Sequence, residues 1–298
     1  MQLSTHSIKL LDAFTLRARR SFYGIRQGAH RSQRRGHGVE FAEYRRYEVG
    51  DNPRAIDWNL YSRSDKLYIK RYLEEENVAL HIVLDGSRSM THADLRIKWD
   101  LAAHIALAAS YISLATQDPV TISILGGPSS PRYWGGRAFG PLTRFLTEAT
   151  TKVVSTSFQN VDLSSAAKRL ASTVRFPGIL LFISDFLYPV HEIASVLAHF
   201  RARNMEIHAI QILGQDDWSL DTSTSSTTLI DSETGASHGI ELGAESISLY
   251  NSLIQRHVSA VREHCLSSHI SYTDSKIALR DSPEELALLT IRRMGLFI

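Results

Sequence analysis

Asp85, Ser87 and Ser89, in the run Leu84-Asp85-Gly86-Ser87-Arg88-Ser89-Met90, place one carboxylate and two hydroxyls within five residues. All three are hard oxygen donors. Magnesium takes six oxygens in near-octahedral geometry and keeps several waters, so a few protein oxygens at a strand end form a partial cage for it. The preceding residues 78–84 are β-branched, leucine or otherwise apolar apart from His81, which suits a strand buried on both faces. Asp85 then falls at its carboxyl end. If the chain stays extended past Gly86, the two-residue period sets Asp85, Ser87 and Ser89 on one side. Asp-Gly-Ser after a strand is also ordinary turn chemistry, and the tripeptide by itself favours the turn. A second acid changes that balance. Ile179-Leu180-Leu181-Phe182-Ile183-Ser184-Asp185 is again an apolar run ending in an acid. Two such ends in one parallel sheet lie on one edge, where open α/β sheets place their ligands. Together, Asp85 and Asp185 put the metal reading ahead of the turn.

The elements that must position these groups are read from periodicity. Strands are expected at 66–73, 78–84, 120–125, 179–184, 206–213 and 270–273, with a short one near 39–47. Helices are expected at 4–22, 94–117, 140–150, 160–175, 190–203 and 245–266, with a last helix opened by Ser282-Pro283. Gly50-Asp51-Asn52-Pro53 is a turn, and residues 27–38 are an exposed loop. Strands alternating with helices give right-handed βαβ units and a doubly wound, mostly parallel α/β sheet. Residues 227–242, turning through Glu233-Thr234-Gly235, read as a β-hairpin insertion. The expected division is an N-terminal extension, 1–77, and an α/β domain, 78–298.

The 298 residues, 43% hydrophobic, suffice for one large core. Cys265 is the single cysteine, which excludes an internal disulfide and fits a reducing, cytoplasmic setting. The most apolar helix is interrupted by Lys98, Asp100 and His104, so it reads as a core helix and not as a membrane span. Net charge is +2, yet residues 1–38 hold Lys9, Arg17, Arg19, Arg20, Arg26, Arg31, Arg34 and Arg35 against Asp12 alone. That segment is suited to an acidic protein face, with nucleic acid as the alternative partner. The basic N-terminus and the turn at 51–58 are expected either to supply a second surface or, with Trp58, Tyr44, Tyr47 and Tyr61 packing inward, to hold the N-terminal segment on the α/β domain.

Catalytic readings find less support. A phosphatase with a strand-end aspartate nucleophile wants a second aspartate two residues later, where this chain has Ser87. No P-loop signature occurs, and His191-Glu192 lacks a second histidine at position 195, which is Ser195. His257 and His264 read as surface residues of one helix. A metal-dependent phosphatase or hydrolase therefore stands as the alternative to a binding module.

Glu40-Phe41-Ala42-Glu43-Tyr44-Arg45, Gly50-Asp51, Arg54, Ile56-Asp57-Trp58, Leu67, Lys70 and Asp85-Gly86-Ser87-Arg88-Ser89-Met90 resemble, in this order and spacing, the bacterial family called domain of unknown function 58. Ile183-Ser184-Asp185-Phe186 and Asp231-Ser232-Glu233-Thr234-Gly235 continue the resemblance over nearly the whole chain. It implies a core like the von Willebrand factor A domain, with a metal-ion-dependent adhesion site for Mg2+ or Mn2+. It also implies action with a MoxR-type AAA+ ATPase in the assembly or maturation of a client protein. The implied ligands are Asp85, Ser87 and Ser89 from the first loop and Asp185 from the third. The second loop departs from the pattern, because Val161 stands where a threonine is usual and cannot coordinate a cation. Asp162 is then either a substitute ligand or the N-cap of the next helix, and the metal site is weakened or lost.

Overall fold

The computed structural model describes residues 2–17, 23–24, 40–51, 53–75, 78–91, 96–155, 162–174, 178–218, 227–230, 237–240 and 244–297. The chain forms two compact units. One is Arg20–Asn77, and the other joins Met1–Arg19 to Val78–Ile298. The first nineteen residues group with the larger unit, whereas the expected division placed them in an N-terminal extension, 1–77. Helix α1 (Thr5–Leu11) is capped by Ser4, whose hydroxyl accepts the Ser7 amide, and it buries Leu11. It ends well short of residue 22. Leu16 bridges Phe297, and the Arg17 amide donates to the Leu296 carbonyl, so a β contact with the carboxyl-terminal segment replaces the next helical turns.

The smaller unit holds β1 (Tyr23–Gly24), β2 (Glu40–Arg46), α2 (Trp58–Ser64) and β3 (Tyr68–Glu75). The strands form an antiparallel sheet in the order β1-β3-β2. Gly50 makes the expected turn at φ 111°, a value that favours glycine. Asp51 closes that turn, accepting the Glu48 amide at 2.9 Å and Arg45 Nη2 at 2.7 Å on both oxygens. These donors hold its carboxyl below the usual carboxylate range. Asp57 caps α2 through the Asn59 and Leu60 amides and also accepts the Tyr44 hydroxyl at 3.0 Å. The loop expected at 27–38 lies outside the described residues.

The larger unit is a five-stranded parallel sheet. Its elements are β4 (Ala79–Asp85), α3 (Arg88–Thr91), α4 (Arg96–Ala115), β5 (Val120–Leu125), α5 (Phe139–Ser155), α6 (Leu163–Thr173), β6 (Gly178–Ser184) and α7 (Val190–Arg201). They continue through β7 (Glu206–Gly214), α8 (Gln215–Trp218), the hairpin β8 (Thr227–Ile230) and β9 (Ser237–Ile240), α9 (Ala244–Ser267), β10 (Ser271–Ile277) and α10 (Pro283–Arg293). Strand β10 runs through Ile277, longer than expected, because it pairs with β7 from Ser271 to Ile277.

The strand order is β10-β7-β6-β4-β5, with every pair parallel. After β4 the chain crosses to β5 on one side and then returns to β6 on the other, so the order reverses between β4 and β6. That is the switch point of a doubly wound sheet. Helices α4 and α10 pack together on one face, and α6, α7 and α9 lie on the other, enclosing Val83, Phe182, Phe186 and Phe200. Alternation along β4 and β6 sends Val83 and Phe182 to that second face. Gly178 begins β6 beside Ala79, where an added Cβ would lie 2.1 Å from the Ala79 carbonyl oxygen. Glycine is what lets β4 and β6 come together at this end.

Candidate functional site at the switch point

Strands β4 and β6 pair through Leu84 and Ile183, so Asp85 and Ser184 emerge side by side at the carboxyl edge. Ser184 Oγ donates to Asp85 Oδ2 at 2.6 Å, and the Ser87 amide donates to Asp85 Oδ1 at 3.0 Å. The chain does not stay extended beyond Gly86, as the two-residue period expected. Asp85 takes the Ser87 amide, the Thr91 hydroxyl donates to the Ser87 carbonyl at 2.9 Å, and residues 88–91 wind into α3. The hydroxyls are brought together by this turn. Ser87 Oγ and Ser89 Oγ lie 3.0 Å apart. Ser87 and Ser89 are 8% and 9% exposed whereas Asp85 is 1% exposed, so approach from solvent is on the serine side.

Asp185 follows Ser184 and, by the strand period, projects toward the opposite face. There Lys98 of α4 meets it, Nζ to Oδ2 at 3.0 Å, and the same ammonium meets Asp217 Oδ2 at 2.9 Å. Asp217 belongs to α8 and also accepts the Gly214 amide at 2.8 Å. Lys98 and Asp185 are wholly enclosed. Burial works against the ammonium, but the two carboxylates outweigh it and raise Lys98 above an ordinary lysine. Burial, reinforced by the charge of Asp185, pushes Asp85 up to about 6 against the opposing pull of the Ser184 and Ser87 donors. One ammonium is therefore shared by two buried carboxylates, Asp185 and Asp217, and Asp85 has no contact with it.

The turn carrying Asp185 is fixed from several elements. Phe186 has φ 50°, a left-handed conformation uncommon for a bulky residue. Ser184 Oγ accepts its amide at 2.9 Å, and His257 Nε2 of α9 donates to its carbonyl at 2.7 Å. Gln211 Nε2 donates to the Asp185 carbonyl at 2.7 Å, and the Tyr272 hydroxyl donates to Gln211 Oε1. The Phe186 ring fills the second face against Phe182, their centroids 5.5 Å apart. Beside it, Asp85, Leu125, Leu163, Phe182, Tyr188 and Ile193 line a small, mainly apolar cleft.

The sequence-expected residues divide as follows. Asp85, Ser87 and Ser89 are joined by contacts at the β4 end, and Asp185 lies on the neighbouring strand end, bound to Lys98. Asp162 accepts the Ser165 amide and hydroxyl as the exposed N-cap of α6, one of the two roles weighed for it. Val161 lies outside the described residues. Among the described residues, no three His, Cys, Asp or Glu side chains are grouped to hold a metal. The oxygen set is instead one carboxylate with two hydroxyls. Ser87 and Ser89 are hydrogen-bonded to each other at 3.0 Å, an ordinary hydrogen-bond length that adjacent ligands of an octahedral Mg2+ ion also reach, about 2.8–3.0 Å apart when each bond is about 2.0–2.1 Å. The fit is to a partial cage.

Lys98, Asp217 and His257 were missed as site residues. The available signals were a lysine inside the most apolar helix and another acid just past a strand. Nothing marked His257, whose partner is a backbone carbonyl distant in sequence. Among the described residues no helix is long and apolar enough to cross a membrane.

The family described as "Protein of unknown function DUF58" matches residues 43–258. The uncharacterised protein Mb1516 of Mycobacterium bovis is 25% identical over 226 residues, spanning 76% of this chain and 70% of its own. The uncharacterised protein Rv1480 of Mycobacterium tuberculosis matches to the same extent. Among solved structures, an aerotolerance-related membrane protein from Bacteroides fragilis aligns over 73% of this chain and 98% of its own, at 13% identity and a TM-score of 0.43. BatB from Bacteroides thetaiotaomicron aligns over the same shares at 12% identity and a TM-score of 0.39.

Proposed function

The chain belongs to the DUF58 family, and from that premise we propose that it is a non-catalytic protein-interaction module that docks through the carboxyl edge of its parallel sheet. The observation that carries this reading is the Ser87–Ser89 hydroxyl pair, 3.0 Å apart at the switch point beside the buried carboxylate of Asp85. Asp85, Ser87 and Ser89 would hold a Mg2+ or Mn2+ ion, with Asp185 behind them contributing charge. When bound, such a cation offers an open coordination position to an acidic side chain of a partner. The residues of this chain do the rest. Ser184 and the Ser87 amide orient Asp85, the α3 turn brings the hydroxyls together, and the small exposure of the serines sets the direction of approach.

The partners that the family resemblance implies are a MoxR-type AAA+ ATPase and a client protein. Because Ser87 stands at the position where a strand-end phosphatase needs its second aspartate, phosphoryl transfer has less support. The deciding experiment is size-exclusion binding of the full chain to a MoxR-type ATPase, with Mg2+ and with EDTA, for the wild type and Asp85→Ala. A complex that needs both Mg2+ and Asp85 supports the reading. No complex under either condition, or Asp85-dependent hydrolysis of a phosphomonoester, contradicts it.

A further inference from the structure

Lys98 lies in the first turns of α4 between Ile97 and Trp99, and its side chain is sealed from solvent. An isolated ammonium is costly to bury, so its position depends on the carboxylates that receive it. Those are Asp185 at 3.0 Å and Asp217 at 2.9 Å. Asp185 is thereby committed to donors of its own chain: Oδ2 takes Lys98, and Oδ1 accepts the Leu187 amide at 3.3 Å. Yet Asp185 is the acid that the strand pattern pairs with Asp85 for a cation.

Resting on the cation reading above, we infer that Lys98 is a built-in competitor for a divalent cation at this edge, holding Asp185 to itself and so setting the affinity of the site. When all are ionised, Asp85, Asp185, Asp217 and Lys98 sum to −2, the charge that one divalent cation neutralises. Without the ammonium the sum is −3, and the charge of Asp185 acts on the cation beside Asp85 unopposed. Lys98 therefore weakens cation binding and leaves the edge ordered in the absence of a cation. Asp217 shares the ammonium, so it moderates the competition: with Asp217 neutral, Lys98 is bound to Asp185 alone and the cation is held more weakly.

Calorimetric titration of Mg2+ and Mn2+ into the full chain, with thermal melts of the same samples, tests this on the wild type, Lys98→Met and Asp217→Asn. Lys98→Met is expected to bind at least tenfold more tightly than wild type and to gain more in melting temperature from Mg2+. Asp217→Asn is expected to bind severalfold more weakly. Binding by Lys98→Met that is no tighter than wild type overturns the inference. If Lys98→Met does not fold, Asp217→Asn decides: weaker binding sustains the inference, whereas equal or tighter binding, or silence from both it and the wild type, overturns it. The two readings separate cleanly. A silent wild type beside a binding Lys98→Met keeps the competitor and removes metal-assisted docking. Binding lost in Asp85→Ala but unchanged in Lys98→Met keeps the docking site and removes the competitor, and silence from wild type and Lys98→Met removes both.

Discussion

Ser184 Oγ donates to Asp85 Oδ2 across 2.6 Å, joining the ends of two adjacent parallel strands at the point where the sheet order reverses. Even with this donor, Asp85 is pushed up to about 6 by burial and by the charge of Asp185. An acid whose folded pKa is raised binds more protons in the folded than in the unfolded state. Its contribution therefore falls as pH rises from the unfolded value of about 3.9 through about 6, and stays low above that. The cost at neutral pH is on the order of 1–3 kcal/mol. In EDTA, Asp85→Asn is expected to be more stable than wild type at pH 7 and to lose the advantage toward pH 4. Urea denaturation across that range measures the difference, and an Asn variant less stable at pH 7 would count against an ionised, strained Asp85.

His257 holds the Phe186 carbonyl at 2.7 Å, on a turn whose φ of 50° needs outside support. His257→Ala is expected to cost about 1 kcal/mol, the usual scale for losing a part-buried hydrogen bond. Amide exchange is the sharper readout, because Phe186 and Leu187 should exchange faster while the β4 amides hold. Uniform acceleration across the sheet would show that His257 matters only to global stability.

Gly178 is expected to resist substitution for a reason of space alone. A methyl group at 2.1 Å from the Ala79 carbonyl oxygen forces β4 and β6 apart at their first pair. Gly178→Ala should lower stability by about 2 kcal/mol or more, among the larger effects of single substitutions. A melting temperature equal to wild type would mean that the strands do not approach this closely.

Cys265 is fully enclosed, and burial pushes its thiol up to about 11. At pH 8 it should react slowly with an aromatic disulfide reagent in the folded protein and release one equivalent after denaturation. Rapid stoichiometric reaction before denaturation would contradict the packing of α9 against the sheet.

The strands were legible because burial on both faces leaves a nearly continuous apolar run, as in 178–183 and in 79–84, where His81 alone interrupts it, and their acids then fell where the runs stopped. Asp85, Ser87 and Ser89 were found by type, but the route that joins them was not. Their grouping was argued on the condition of an extended chain, whereas the Asp85 carboxylate captures the Ser87 amide and a helical turn follows. Local capture of a backbone donor by a short acidic side chain competes with extension, and residue periodicity does not register it. Helix α1 was overextended for a related reason, since Leu16 finds its partner in Phe297, almost the whole chain away. Lys98 with Asp185 and Asp217 is likewise a tertiary arrangement, spanning 87 and 119 positions. Its local traces are a charge in an apolar helix and an acid just past a strand, each by itself equally consistent with a solvated position.

The central claim is that the edge formed by Asp85, Ser87 and Ser89 holds a divalent cation for docking. Its most direct test is titration of Mg2+ and Mn2+ into the purified full chain beside Asp85→Ala. The account predicts saturable binding near one equivalent in the wild type that is lost in the variant. Equal heats from the two proteins, or none from either, would contradict it.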